Sequence, residues 1–90
     1  MDKAIITVVG QDTVGIIARV CTYLSDSNVN VLDISQTIID GFFNMMMIVD
    51  VTDAGKDFGG MVGDLEALGE EIGVRIRCQK EEIFTKMHRV

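Results

Sequence analysis

The tightest constraint on how this chain folds is a contrast among its strand-like segments. Residues 3–9 (KAIITVV) are β-branched or apolar on both alternating faces, as in a central strand covered on two sides. Residues 42–51 read the same way: Phe43, Met45, Met47 and Val49 share one face, and Phe42, Met46 and Ile48 the other. Residues 29–40 are apolar on one face only, with Leu32, Ile34 and Ile38 opposed to Asp33, Ser35 and Thr37. Val74, Ile76 and Cys78 alternate in the same manner with Arg75, Arg77 and Gln79. Such one-sided patterns suit edge strands with a solvated face.

The connections complete a topology. Gly10-Gln11-Asp12-Thr13 breaks the first run and supplies turn and N-cap chemistry. From Val14 the period becomes helical, through Val14, Ile17, Cys21 and Leu24, widened by Ile16, Val20 and Tyr23. Ser25-Asp26-Ser27-Asn28 competes for backbone hydrogen bonds and ends that helix. Asp40-Gly41 is a two-residue hairpin signal, because a type I′ turn needs positive φ twice. Phe58, Met61, Leu65, Leu68 and Ile72 mark a second helix, with Asp57 as N-cap and Gly73 as its closing glycine. Gly59, Gly60 and Gly63 each weaken it by roughly 1 kcal/mol against alanine, so packing must sustain it.

The order β-α-β-β-α-β, with two right-handed crossovers and one hairpin, predicts an α+β ferredoxin-like sandwich. Its antiparallel sheet has strand order 4-1-3-2 with both helices on one face, which places the doubly apolar strands centrally. Residues 1–80 form this domain, and residues 81–90 a short C-terminal helix presenting Ile83, Phe84 and Met87.

Charge and composition exclude several functions. Hydrophobic residues at 48% are ample for a core in a 90-residue domain. The net charge of -6 repels phosphate backbones, so no nucleic-acid partner is expected. Cys21 and Cys78 lack metal or CxxC spacing and read as small buried hydrophobes of a reducing, cytoplasmic setting. No apolar run is long enough for a bilayer, and no membrane association is expected. His88 stands without clustered ligands, no nucleophile–base pair appears, and no phosphate-cradling glycine motif is present. Neither catalysis nor a cofactor is therefore expected.

One sheet face carries both helices, and the other stays apolar at its centre. This reading leaves Met45, Met47 and Val49, with Ile5 and Thr7, as a patch that soluble monomers rarely expose. A symmetric second subunit, aided by the terminal helix, is the favoured cover; the alternative is the tail folded back over its own sheet.

The segment Gly10-Gln11-Asp12-Thr13-Val14-Gly15-Ile16, followed by Val20, Leu24 and Asn28-Val29-Asn30-Val31, is similar to the ACT domain. There a G-x-D-x-x-G-I turn joins the first strand to the first helix. The run from Leu32 to Ile38 before Asp40-Gly41 resembles stand-alone ACT proteins in particular. Val14 replaces the proline that often precedes the glycine of this turn. The resemblance implies a regulatory homodimer binding an amino-acid-like molecule across its interface. A carboxylate would sit on the amides of Val14, Gly15 and Ile16 at a helix N-terminus. Asp12 would take the ammonium group, with Asn30, from the same or the partner subunit, and Gln11 beside it. The plainer readings are that Asp12 or Thr13 caps the helix, Gly15 permits helix–sheet packing, and Asn30 caps a strand entrance. The alternative function is a structural or protein-interaction module that has lost its ligand, with an unknown protein partner.

Overall fold

The computed structural model describes residues 1–82. Six elements follow one another: β1 (Lys3–Gln11), α1 (Ile16–Asp26), β2 (Asn30–Ile39), β3 (Phe42–Asp50), α2 (Phe58–Ile72) and β4 (Val74–Lys80). The four strands form one antiparallel sheet in the order β2-β3-β1-β4, with the doubly apolar strands at its centre. This is the ferredoxin-like βαββαβ sandwich expected from the strand patterns. Asp40 and Gly41 take φ of 52° and 81°, the left-handed pair that a type I′ hairpin requires.

The register decides which face each residue occupies. Ala4, Ile6 and Val8 of β1 lie opposite Val49, Met47 and Met45 of β3. All six are buried in the core beneath the helices. The open face carries Phe42, Asn44, Met46 and Ile48, with Ile5, Thr7 and Val9 beside them. Met45, Met47 and Val49 are thus core residues and not the open patch the alternation suggested. A period of two separates two faces but does not say which one the helices take.

Three further differences have local causes. β1 runs on through Gly10 and Gln11, because these still pair with Phe43 and Phe42 of the hairpin. The first helix begins at Ile16, not Val14, whose side chain is fully exposed; the buried stripe is Ile16, Val20 and Leu24. β2 is an edge strand, yet its expected covered face is open: Ile34 and Ile38 lie on the helix side by register but are 43% and 58% exposed. α1 comes up to β2, yet a cleft lined by Ile16, Ile17, Ala18, Gln36 and Ile38 lies between them and leaves Ile38 open. A bulge between Val31 and Asp33 also takes Leu32 out of the alternation.

The second helix follows its sequence signals. The Asp57 carboxylate accepts the Gly60 N–H at 2.9 Å, and Gly73 closes the helix at φ 82°. Gly69 lets α2 approach β4: a Cβ there would lie 2.6 Å from the Val74 carbonyl oxygen. Glu81 and Glu82 begin a helical turn, while Ile83, Phe84 and Met87 of the expected terminal helix lie outside the described residues.

Candidate functional site

The turn from β1 into α1 is fixed by backbone bonds. The Asp12 N–H donates to the Gly41 carbonyl at 2.9 Å, which ties the turn to the hairpin. The Thr13 hydroxyl donates to the Gln11 carbonyl at 3.2 Å, so Thr13 serves the turn and not the helix. Gly15 is the N-cap, with φ 90°, and α1 has no side-chain cap. Neither Asp12 nor Thr13 caps the helix, and Gly15 lies one residue before its first turn. Nothing stands within 4 Å of where a Gly15 Cβ would be. The position is glycine for its left-handed backbone, then, and not for helix–sheet packing.

The missing cap has a chemical consequence. The Gly15 carbonyl accepts the first helical bond from the Arg19 N–H at 2.9 Å. The amides of Ile16, Ile17 and Ala18 precede that bond and have no acceptor within the helix, at the positive end of its dipole. They border a cleft of about 310 Å³ lined by Asp12, Gly15 and the start of α1, and by Gln36, Ile38 and Phe43. The Asp12 carboxylate is exposed and takes no hydrogen bond from any described residue. Uncapped donors, one unpaired acceptor and an apolar wall therefore share one cleft.

Of the residues nominated by sequence, Asp12, Gly15 and Ile16 line this cleft. Val14 points into solvent, and Gln11 is the last strand residue, paired with Phe42 beside the cleft. Asn30 stands at the far end of the sheet, opposite Asp50 of β3. About nine strand residues separate it from the turn, roughly 30 Å within one chain. Gln36, Ile38 and Phe43 escaped the sequence reading. The hairpin signal held the clue: a two-residue turn at Asp40-Gly41 sets Ile38 opposite Phe43 and draws both toward the β1 end.

Two other clefts lack this combination. The groove between α1 and α2, about 560 Å³, is lined by groups that satisfy one another. Arg19 pairs with Glu71 at 2.7 Å, and Asp64 accepts from Lys56 at 2.6 Å and from the Tyr23 hydroxyl at 2.7 Å. Those bonds to Lys56 and Tyr23 hold the Asp64 carboxyl below its ordinary pKa. Asn30 borders a separate cleft of about 410 Å³ with Cys21, Ser25 and Asn28. There the Asn28 amide donates to the Asp53 carbonyl at 2.9 Å.

The βαββαβ order and the β2-β3-β1-β4 sheet place the chain in the class of ferredoxin-like α+β sandwiches. Within that class the chain belongs to the ACT domain family, whose model matches residues 2–79. It is 83% identical over 90 residues to a UPF0237 protein of Bifidobacterium longum, covering the whole of both chains. It is 46% identical over 90 residues to a UPF0237 protein of Methanocaldococcus jannaschii, again over the whole of both. Among solved structures it resembles an ACT domain protein from Streptococcus pneumoniae. That match has a TM-score of 0.81 and 42% identity, covering 92% of this chain and 93% of that one. ACT domains are regulatory modules that generally bind small molecules, often amino acids, and the family indicates no catalytic function. Among the described residues no helix is long and apolar enough to cross a membrane.

Proposed function

We propose that this chain is a regulatory homodimer that binds an amino-acid-like molecule at the β1–α1 turn. The observation that carries the reading is the meeting, in one cleft, of uncapped α1 amides and the unpaired Asp12 carboxylate. A zwitterion matches that pattern: its carboxylate takes the amides and its ammonium group takes Asp12. An aliphatic side chain would then rest on Ile38 and Phe43.

The dimer reading rests on β2. Among the described residues no strand pairs with its outer edge, though the Asp33 carboxylate accepts the Ile34 N–H at 2.8 Å; its ten residues include neither lysine nor proline, and Ile34, Ile38 and Ile39 are exposed along it. Natural edges are usually guarded by charge or proline, as β4 is by Arg75, Arg77 and Lys80. Antiparallel pairing of two β2 strands about Ser35 or Gln36 keeps each residue on its own face. It also exchanges ends, so the partner subunit's Asn30 arrives beside the Asp12–Gly41 corner. The separation of Asn30 from the turn within one chain thereby becomes a reason for two chains. A cytoplasmic, reducing setting suits the free thiols of Cys21 and Cys78.

Titration calorimetry of the full chain against a panel of amino acids tests the reading. We expect saturable binding of at least one. Asp12→Asn should weaken it about tenfold or more, since a hydrogen bond to a charged group contributes about 1.5–3 kcal/mol. Asn30→Ala should weaken it less, by about 0.5–1.5 kcal/mol. Saturating concentrations with no heat and no thermal shift would favour an interaction module without a ligand. Binding that both substitutions leave unchanged would place the site elsewhere.

A further inference from the structure

We propose that the outer edge of β4 is a docking strip for an extended peptide segment whose residues alternate between acidic and basic. This edge lies across the sheet from β2, and among the described residues no strand pairs with it. A cleft of about 380 Å³ borders it, lined by Glu66 and Glu70 of α2 and by Val74, Arg75, Ile76 and Arg77 of β4. All four charged side chains are exposed, and none forms a hydrogen bond or ion pair with a described residue. In the groove between α1 and α2, by contrast, Arg19 holds Glu71 and Lys56 holds Asp64.

The strip is ordered by sign and by spacing. Arg75 and Arg77 lie opposite Val9 and Thr7, on the open face of the sheet. Val74 and Ile76 belong to the core beneath the helices. Gly69 lets α2 close over both of them, so Glu66 and Glu70 stand beside the edge on the helix side. β4 is therefore flanked by basic charge on one face and acidic charge on the other. The two arginines are two strand residues apart, about 6.6 Å, and the two glutamates are four helical residues apart, about 6 Å. A strand added to β4 repeats each of its faces every two residues, at nearly the same interval. Its acidic residues then meet the arginines and its basic residues the glutamates, while its backbone pairs with the edge.

The same charges disfavour other copies of this chain. Antiparallel pairing of two β4 strands, with both helix layers on one side, sets arginine against arginine. A second copy's β2 offers Asp33 to the arginines but no basic residue to the glutamates. Charges that guard the edge against its own kind thus select a segment of matching pattern.

The test is a nuclear magnetic resonance titration of the full chain with two end-blocked peptides, Thr-Glu-Lys-Glu-Lys-Thr and Thr-Glu-Glu-Lys-Lys-Thr. Both have one composition and no net charge. As a strand, the first carries its glutamates on one face and its lysines on the other, and the second mixes them. We expect the first to shift the resonances of residues 74–80 saturably, to bind about tenfold more tightly than the second, and to weaken as salt is added. Arg75→Glu combined with Arg77→Glu, and separately Glu66→Lys combined with Glu70→Lys, should each weaken the first peptide about tenfold and leave core resonances in place. Equal affinity for the two peptides overturns the proposal. So do shifts centred away from β4, no saturable shift at millimolar peptide, or native affinity in both charge-reversed variants.

Discussion

Two glycines serve opposite physical needs. Gly15 holds φ 90° with open space where a Cβ would stand, whereas Gly69 sits in a regular helix with the Val74 oxygen 2.6 Å from that point. Alanine at 15 pays only for the left-handed backbone, about 1–2 kcal/mol. Alanine at 69 gains about 1 kcal/mol of helix propensity but forces α2 off β4, an overpacking that costs about 1–3 kcal/mol. Urea unfolding should therefore show Gly15→Ala destabilised by about 1–2 kcal/mol without change in the α2–β4 contact. Gly69→Ala should show displaced resonances for Val74 and Ile76, which Gly15→Ala leaves in place. Asp12 shows another residue-scale lesson. Its N–H is committed to Gly41 while its carboxylate takes no hydrogen bond from any described residue, so Asp12→Asn tests charge at almost constant turn geometry.

At the scale of elements, the two edge strands are guarded differently. β4 alternates buried apolar residues with arginines, while β2 leaves Ile34 and Ile38 exposed on the helix side of the sheet. Ile34→Lys should therefore change the stability of the single chain by no more than about 0.5–1 kcal/mol, as for a surface site. It should nevertheless break an edge-to-edge dimer, since it places a buried charge at the pairing centre. Light scattering should give twice 9.9 kDa for the native chain and 9.9 kDa for Ile34→Lys. A native chain of single mass at micromolar concentration would remove the dimer. Within α2, the Asp57 cap and close packing through Gly69 offset the cost of glycines at 59, 60 and 63.

For the whole molecule, the core between sheet and helices sets how stability responds to alkali. Burial pushes the Cys78 thiol from 9.0 up to about 11. The unfolded chain therefore releases this proton first as the pH rises. The stabilisation is complete below about pH 9 and is lost as the pH climbs through 11. The melting temperature should fall more steeply between those values in the native chain than in Cys78→Val, which keeps an apolar side chain of similar size. Equal slopes would mean that Cys78 titrates alike in both states. The same burial should slow native alkylation of Cys78 relative to the partly exposed Cys21.

The sequence by itself determined the order of elements, the strand order and the helix caps at Asp57 and Gly73, because these follow from local period, turn chemistry and the handedness of crossovers. It also located the turn of the candidate site, through Asp12 and Gly15. Only the tertiary structure decided which face of β3 meets the helices, since alternation is symmetric between faces and register alone breaks the tie. It decided as well that Ile16, not Val14, begins the helix, because the left-handed Gly15 delays the first turn. Gln36, Ile38 and Phe43 joined the cleft, and Asn30 left it, for a single reason. Proximity across a sheet is set by which strands pair and in what register, a relation between segments far apart in the chain that no local pattern carries.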